Sequence, residues 1–91
     1  MTVRYTRHPD MRLTALDAEG VVLHLGTRKY FSVSESGVDL LEALAEPRTM
    51  DELVKVLTEK YDVNDAQARE SVTGFLEHSL KTGIITAGDT P

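Results

Sequence analysis

The feature that most constrains this chain is a change of hydrophobic period at Ser34. Before it, apolar residues recur at every second position; after it, they recur at every third or fourth. Two-residue spacing gives a strand one apolar face, and 3.6-residue spacing does the same for a helix. A sheet at the amino end and helices at the carboxy end therefore follow. With 91 residues in all, the two parts must share one core, because neither alone buries enough apolar surface. The span 1–91 is expected to be a single domain with an ordered core over about 11–86, the ends fraying as unanchored termini do.

Met11 to Asp17 and Val21 to Leu25 read as strands. Leu13 and Ala15 on the first, and Val21, Leu23 and Leu25 on the second, are expected to face inward. Asp17-Ala18-Glu19-Gly20 turns between them. Gly26-Thr27-Arg28 turns again into Lys29-Tyr30-Phe31-Ser32-Val33, where Phe31 and Val33 point inward and Tyr30 and Ser32 outward. Connections this short make antiparallel neighbours, so the third strand pairs with the second and keeps its other edge open. An open edge requires a cover or a partner.

Ser34 is suited to cap a first helix, whose apolar stripe of Val38, Leu41, Leu44 and Ala45 runs to Pro47. Thr49 and Glu52 have capping-box spacing ahead of Leu53, Val54, Val56, Leu57 and Tyr61. Asn64 and Gln67 repeat the device ahead of Ala68, Val72, Phe75, Leu76 and Leu80. Gly83 supplies a left-handed C-cap, and Ile84-Ile85 adds a short final strand, with Asp89, Thr90 and Pro91 frayed. The fold class is α+β: a winged helix-turn-helix-like domain with an N-terminal three-stranded antiparallel sheet followed by three helices.

Charge and composition exclude several function classes. Ten Lys and Arg against fifteen Asp and Glu leave a net charge of −5, which disfavours polyanions, because phosphate binding draws on clustered cations. A winged-helix DNA-binding regulator remains the competing reading of this element order, yet between Asp65 and Thr82 only Arg69 and Lys81 are basic. A module that dimerises through its open edge is a third reading. The cations gather instead at Arg4, Arg7 and Arg12 and at Arg28 and Lys29, so the hairpin is locally basic on an acidic body. Without cysteine there is no disulfide framework or thiolate metal site. His8, His24 and His78 lack metal-ligand spacing and read as lone strand or surface histidines, and no Gly-x-Ser-x-Gly elbow or phosphate loop is present. No catalytic residue, metal ligand or cofactor is expected. No apolar run reaches membrane-spanning length, and Arg4, Arg7, His8 and Asp10 interrupt any secretory h-region, which makes the protein a cytoplasmic one by expectation.

Five segments together resemble the PqqD family: Gly26 to Gly37 (GTRKYFSVSESG), Arg48 to Val54, Tyr61-Asp62-Val63-Asn64, Phe75-Leu76-Glu77 and Gly83-Ile84-Ile85. The resemblance is clearest from Val21 to Ile85. It implies a non-catalytic recognition element of ribosomally made, post-translationally modified peptides, one that binds a precursor's leader and brings it to a separate processing enzyme. Thr27-Arg28 stands where the pyrroloquinoline quinone members carry Pro-Glu, and Arg28-Lys29-Tyr30-Phe31 is more similar to the stand-alone leader-binding proteins of lasso-peptide pathways. Val33-Ser34 departs from the Leu-Asn common among those. The implied partner enzyme is a lasso leader peptidase, with the alternative of a PqqD-type peptide chaperone for a radical enzyme.

The open edge and the resemblance imply one mechanism, in which an extended leader adds as a strand beside Lys29 to Val33 and drops alternate side chains into a groove against the third helix. The expected peptide-binding residues are Arg28, Lys29, Tyr30, Phe31, Ser32 and Val33 on the strand, with Arg69, Val72, Thr73, Phe75 and Leu76 on the helix. A domain this small spends most apolar residues on its own interior, so only a subset of these lines a groove. Gly74 is read either as a place of close approach by another chain or as a packing notch.

Overall fold

Each of the three expected caps starts a helix in the computed structural model, which describes residues 2–90. Helix α1 (Glu35–Ala43) begins at Ser34, whose hydroxyl accepts the Gly37 N–H at 3.3 Å. Helix α2 (Met50–Lys60) opens with a complete capping box: Thr49 Oγ1 accepts the Glu52 N–H at 3.2 Å, and Glu52 Oε1 accepts the Thr49 N–H at 2.9 Å. Asn64 and Gln67 do the same for α3 (Asp65–Thr82), at 2.8 and 3.2 Å. Gly83 ends α3 with φ 78°, a conformation that costs a residue with a Cβ about 1 kcal/mol or more.

The strands are β1 (Thr2–Arg7), β2 (Met11–Ala15), β3 (Glu19–His24), β4 (Lys29–Ser34) and β5 (Ile85–Thr90). β2, β3 and β4 form the expected antiparallel meander, in that order. The turn into β4 places its left-handed residue at Arg28 (φ 59°) rather than at Gly26.

Two expectations at the chain ends are corrected. β1 was not anticipated, and the final strand does not stop near Ile85. The two pair along their whole length, from Thr2 opposite Thr90 to Arg7 opposite Ile85, so regular structure runs beyond 11–86. Asp89 and Thr90 are paired strand residues rather than frayed ones; Pro91 lies outside the described residues. Thr-Val-Arg-Tyr-Thr-Arg is an ordinary β-forming run, but its partner is at the other end of the chain, where local pattern gives no sign of it.

The inward face of β3 is also the opposite of that expected. Gly20, Val22 and His24 are buried, whereas Val21 and Leu23 are half-buried and Leu25 is exposed. Val21-Val22-Leu23 is apolar at three successive positions, so alternation alone does not choose a face. Register chooses it: Leu13, Val22 and Phe31 stand side by side across the sheet, with Ala15, Gly20 and Val33 as the next row. Gly20 is required there, because a Cβ would come within 2.6 Å of Val38 Cγ2 on α1. His24 is accommodated in the interior with its Nδ1 accepting the Thr27 N–H at 3.2 Å and its ring tilted at 44° against that of His8, centroids 4.7 Å apart. It is thus neither lone nor at the surface.

The core joins Val22 to Leu40, Leu41 and Leu44 of α1 and its C-terminal turn, Leu53, Val54 and Leu57 of α2, Ala68, Val72 and Leu76 of α3, and Ile84 and Ile85. Two stripe assignments change. Ala45 is exposed while Leu40 is buried, and Leu80 is exposed while Ser79 is buried. At about 100° per residue, Ser79 continues the row of Ala68, Val72 and Leu76, whereas Leu80 falls on the flank of Arg69 and Thr73. Among the described residues no helix is long and apolar enough to cross a membrane.

Candidate functional site

β4 has β3 on one side and, among the described residues, no strand on the other. The strand packs on α1, while α3 packs on α2 and β5. Space is thereby left between the free edge of β4 and α3. Gly37 sets how closely α1 approaches the strand, since a Cβ there would lie 2.4 Å from Val33 Cγ1.

The space is a groove in three connected parts. Its centre, a cavity of about 250 Å³, is walled by Phe31, Val33 and Phe75, floored by Leu40, Leu41, Leu57 and Ile84, and rimmed by Ser32, Ser36, Ser71 and His78. One end, of about 360 Å³, shares Ser34, Ser36 and Ser71 with the centre and adds Glu35, Tyr61 and Val63. The other, of about 440 Å³, shares Phe31 and His78 and adds Thr27, Lys29, Lys81 and Thr82. An apolar middle thus lies between a polar end with one carboxylate and an end with two ammonium groups.

On the strand, Phe31, Ser32 and Val33 line the centre of the groove and Lys29 one end, whereas Arg28 and Tyr30 line no part of it. Lys29, Phe31 and Val33 share the inner face of β4, Ser32 meets the groove at its rim, and Tyr30 stands 72% exposed on the outer face with Arg28 at the preceding turn. The helix residues do not come together in the same way. Of the five, only Phe75 lines the groove. Val72 and Leu76 are buried in the core. Arg69 pairs with Asp51 at 3.0 Å and Asp65 at 3.6 Å, and the Thr73 hydroxyl donates to the Arg69 carbonyl at 2.7 Å. These two lie on the far side of the core stripe from the groove, about 100° or more around the helix from Phe75. The groove face of α3 is instead Ser71, Phe75, His78 and Thr82, with Ala68 at its start. Ser71 and His78 were not singled out. Their signal was the i, i+4, i+7 spacing around Phe75, which marks the margin of the apolar stripe rather than its centre. Gly74 is exposed and a Cβ there would meet nothing within 4 Å, so it is not a notch for a neighbouring helix.

A polar clasp holds the Tyr61 end. Asp39 of α1, with a side chain 12% exposed, accepts from Lys60 Nζ at 2.7 Å and from the Tyr61 hydroxyl at 2.5 Å. Burial by itself raises the Asp39 carboxyl, but the hydrogen bonds from Lys60 and Tyr61 and the charge of Lys60 outweigh it and hold it below its ordinary value. The same hydrogen bond, with desolvation and the charges of Asp39 and Glu35, pushes the Tyr61 phenol up to about 12. The clasp fixes α1 to the end of α2 and keeps the Tyr61 ring as a groove wall.

What these features define is a class: a small sheet-then-helix domain in which the free edge of β4 faces a helix across an apolar groove. The family described as coenzyme PQQ synthesis protein D (PqqD) matches residues 19–85, and the chain belongs to that family. Solved structures share the fold. TbiB1 in complex with the TbiA(beta) leader peptide is 22% identical, with a TM-score of 0.81 over 94% of this chain and 99% of that one. Lasso peptide synthetase B1 complexed with the leader peptide is 15% identical, with a TM-score of 0.76 over 90% and 96%. No curated protein sequence matches the chain.

Proposed function

We propose that this protein binds the leader segment of a ribosomally made precursor peptide, without catalysing its conversion, and delivers it to a separate processing enzyme, a leader peptidase of a lasso-peptide pathway. The observation that carries the reading is the unpaired edge of β4 beside an apolar groove. A leader strand added to that edge gains main-chain hydrogen bonds, and every second side chain enters the groove between Phe31, Val33 and Phe75. Main-chain bonding fixes register, and the pockets choose the sequence. Family membership and the leader-bound state of both structural neighbours support the reading.

Titration with the precursor encoded beside this gene tests it. Backbone amides of Lys29 to Val33 are expected to shift strongly and to become protected from exchange. Saturable binding that leaves those amides unmoved refutes strand addition, and absence of binding refutes the function.

A further inference from the structure

We infer that the Lys29–Lys81 end of the groove is a carboxylate subsite, and that the peptide it accepts carries an acidic residue two positions from the apolar side chain seated against Phe31. The inference rests on the peptide-binding reading above.

The basis is the distribution of cations. On a chain of net charge −5, Arg48, Lys55, Lys60 and Arg69 all stand within 4.0 Å of a carboxylate. Among the described residues Arg7, Arg12, Arg28, Lys29 and Lys81 make no such ion pair, and of these only Lys29 and Lys81 line the groove. Even Glu77, one turn before Lys81 on α3, makes no ion pair with it. The two lysines come from elements far apart in sequence, yet they line one cavity, with Phe31 and His78 between them and the apolar centre. Two like charges at one place repel each other, so a carboxylate between them is favoured over either lysine alone.

Register fixes the spacing. Lys29, Phe31 and Val33 are on one face of β4 at two-residue intervals. A strand paired with β4 therefore presents side chains to them at the same interval. The pattern read is acid, any residue, apolar, any residue, apolar, and the acid lies at whichever end faces Lys29. Glu35 at the far end opposes a reversed charge pattern. The stems of both lysines add apolar wall while their ammonium groups stay in water.

Selection of a displayed random dodecapeptide library on the full chain, beside the Lys29→Gln/Lys81→Gln variant, tests this. The wild-type protein is expected to enrich peptides with Asp or Glu two residues from an apolar residue, and the variant to enrich apolar peptides without that acid. An enriched acidic peptide should bind the variant about fivefold more weakly, the loss expected for two partly exposed ion pairs. Its affinity for the wild type should fall with salt, as screened pairs require. If enriched peptides shift the β4 amides but show no acidic bias, the carboxylate subsite is refuted while the groove stands. If nothing is enriched, or enriched peptides leave those amides unmoved, the peptide-binding reading fails and takes the subsite with it.

Discussion

Gly37→Ala tests how the width of the groove is set. The added Cβ would lie 2.4 Å from Val33 Cγ1, whereas apolar carbons rest at about 3.5–4.0 Å. One of the two groups must therefore move by about 1 Å. Val33 is β-branched and has few alternative rotamers, so the displacement falls on χ1 strain or on β4 itself. Such overpacking costs about 1–3 kcal/mol. Alanine in place of glycine within α1 returns about 1 kcal/mol of helix propensity. The net expectation is a loss of about 1 kcal/mol, or roughly 4–8 °C in Tm for a domain of this size. The sign reverses when Val33 is also Ala, because the contact is then gone and only the helix gain remains. Urea denaturation of the wild type, both single variants and the double variant measures this cycle. Additive effects, or a Gly37→Ala protein as stable as the wild type, would show that α1 does not press on β4 as described. Since Gly37 and Val33 both line the groove, leader binding is expected to weaken in the single variant.

Gly74→Ala is expected to stabilise the protein by about 1 kcal/mol, since the site is an exposed helix interior with open space around the new methyl; a lower Tm would refute this. The Asp39 clasp predicts two pH limbs. The lowered Asp39 carboxyl contributes stability above its ordinary value of 3.8 that is lost as pH falls through its depressed value in the folded state. The raised Tyr61 phenol contributes below 10.0 and is lost as pH rises towards about 12, with Lys60 acting in the same direction. Denaturation across pH should show Asp39→Asn flattening both limbs and Tyr61→Phe softening the alkaline one; unchanged limbs in Asp39→Asn would refute the clasp.

What could be read from the chain in advance was whatever is encoded within a few residues. Ser34, Thr49 and Asn64 each satisfy an amide three positions on, and Gly83 terminates α3 by its own backbone freedom. Sidedness was harder. On β3 three successive apolar residues obscure the pleat, and a buried position goes to His24, whose Nδ1 accepts from the Thr27 N–H and whose ring is tilted against that of His8. On α3 Ala68, Val72 and Leu76 of the apolar stripe belong to the core, Leu80 is exposed, and the groove lies at the stripe's edge, where Phe75 stands. Arg69 seemed available from its charge alone; only the fold shows Asp51 already holding it. The meeting of Lys29 with Lys81, like that of β1 with β5, joins residues that no local pattern connects.

The β1–β5 ladder has an architectural consequence. With Thr2 opposite Thr90, the polypeptide enters and leaves this domain at neighbouring points, as a loop does at its base. A domain closed in this way can be spliced into a surface turn of an unrelated enzyme without stretching the host or loosening the guest. Recognition and processing, proposed above for separate molecules, are thus physically easy to combine in one chain.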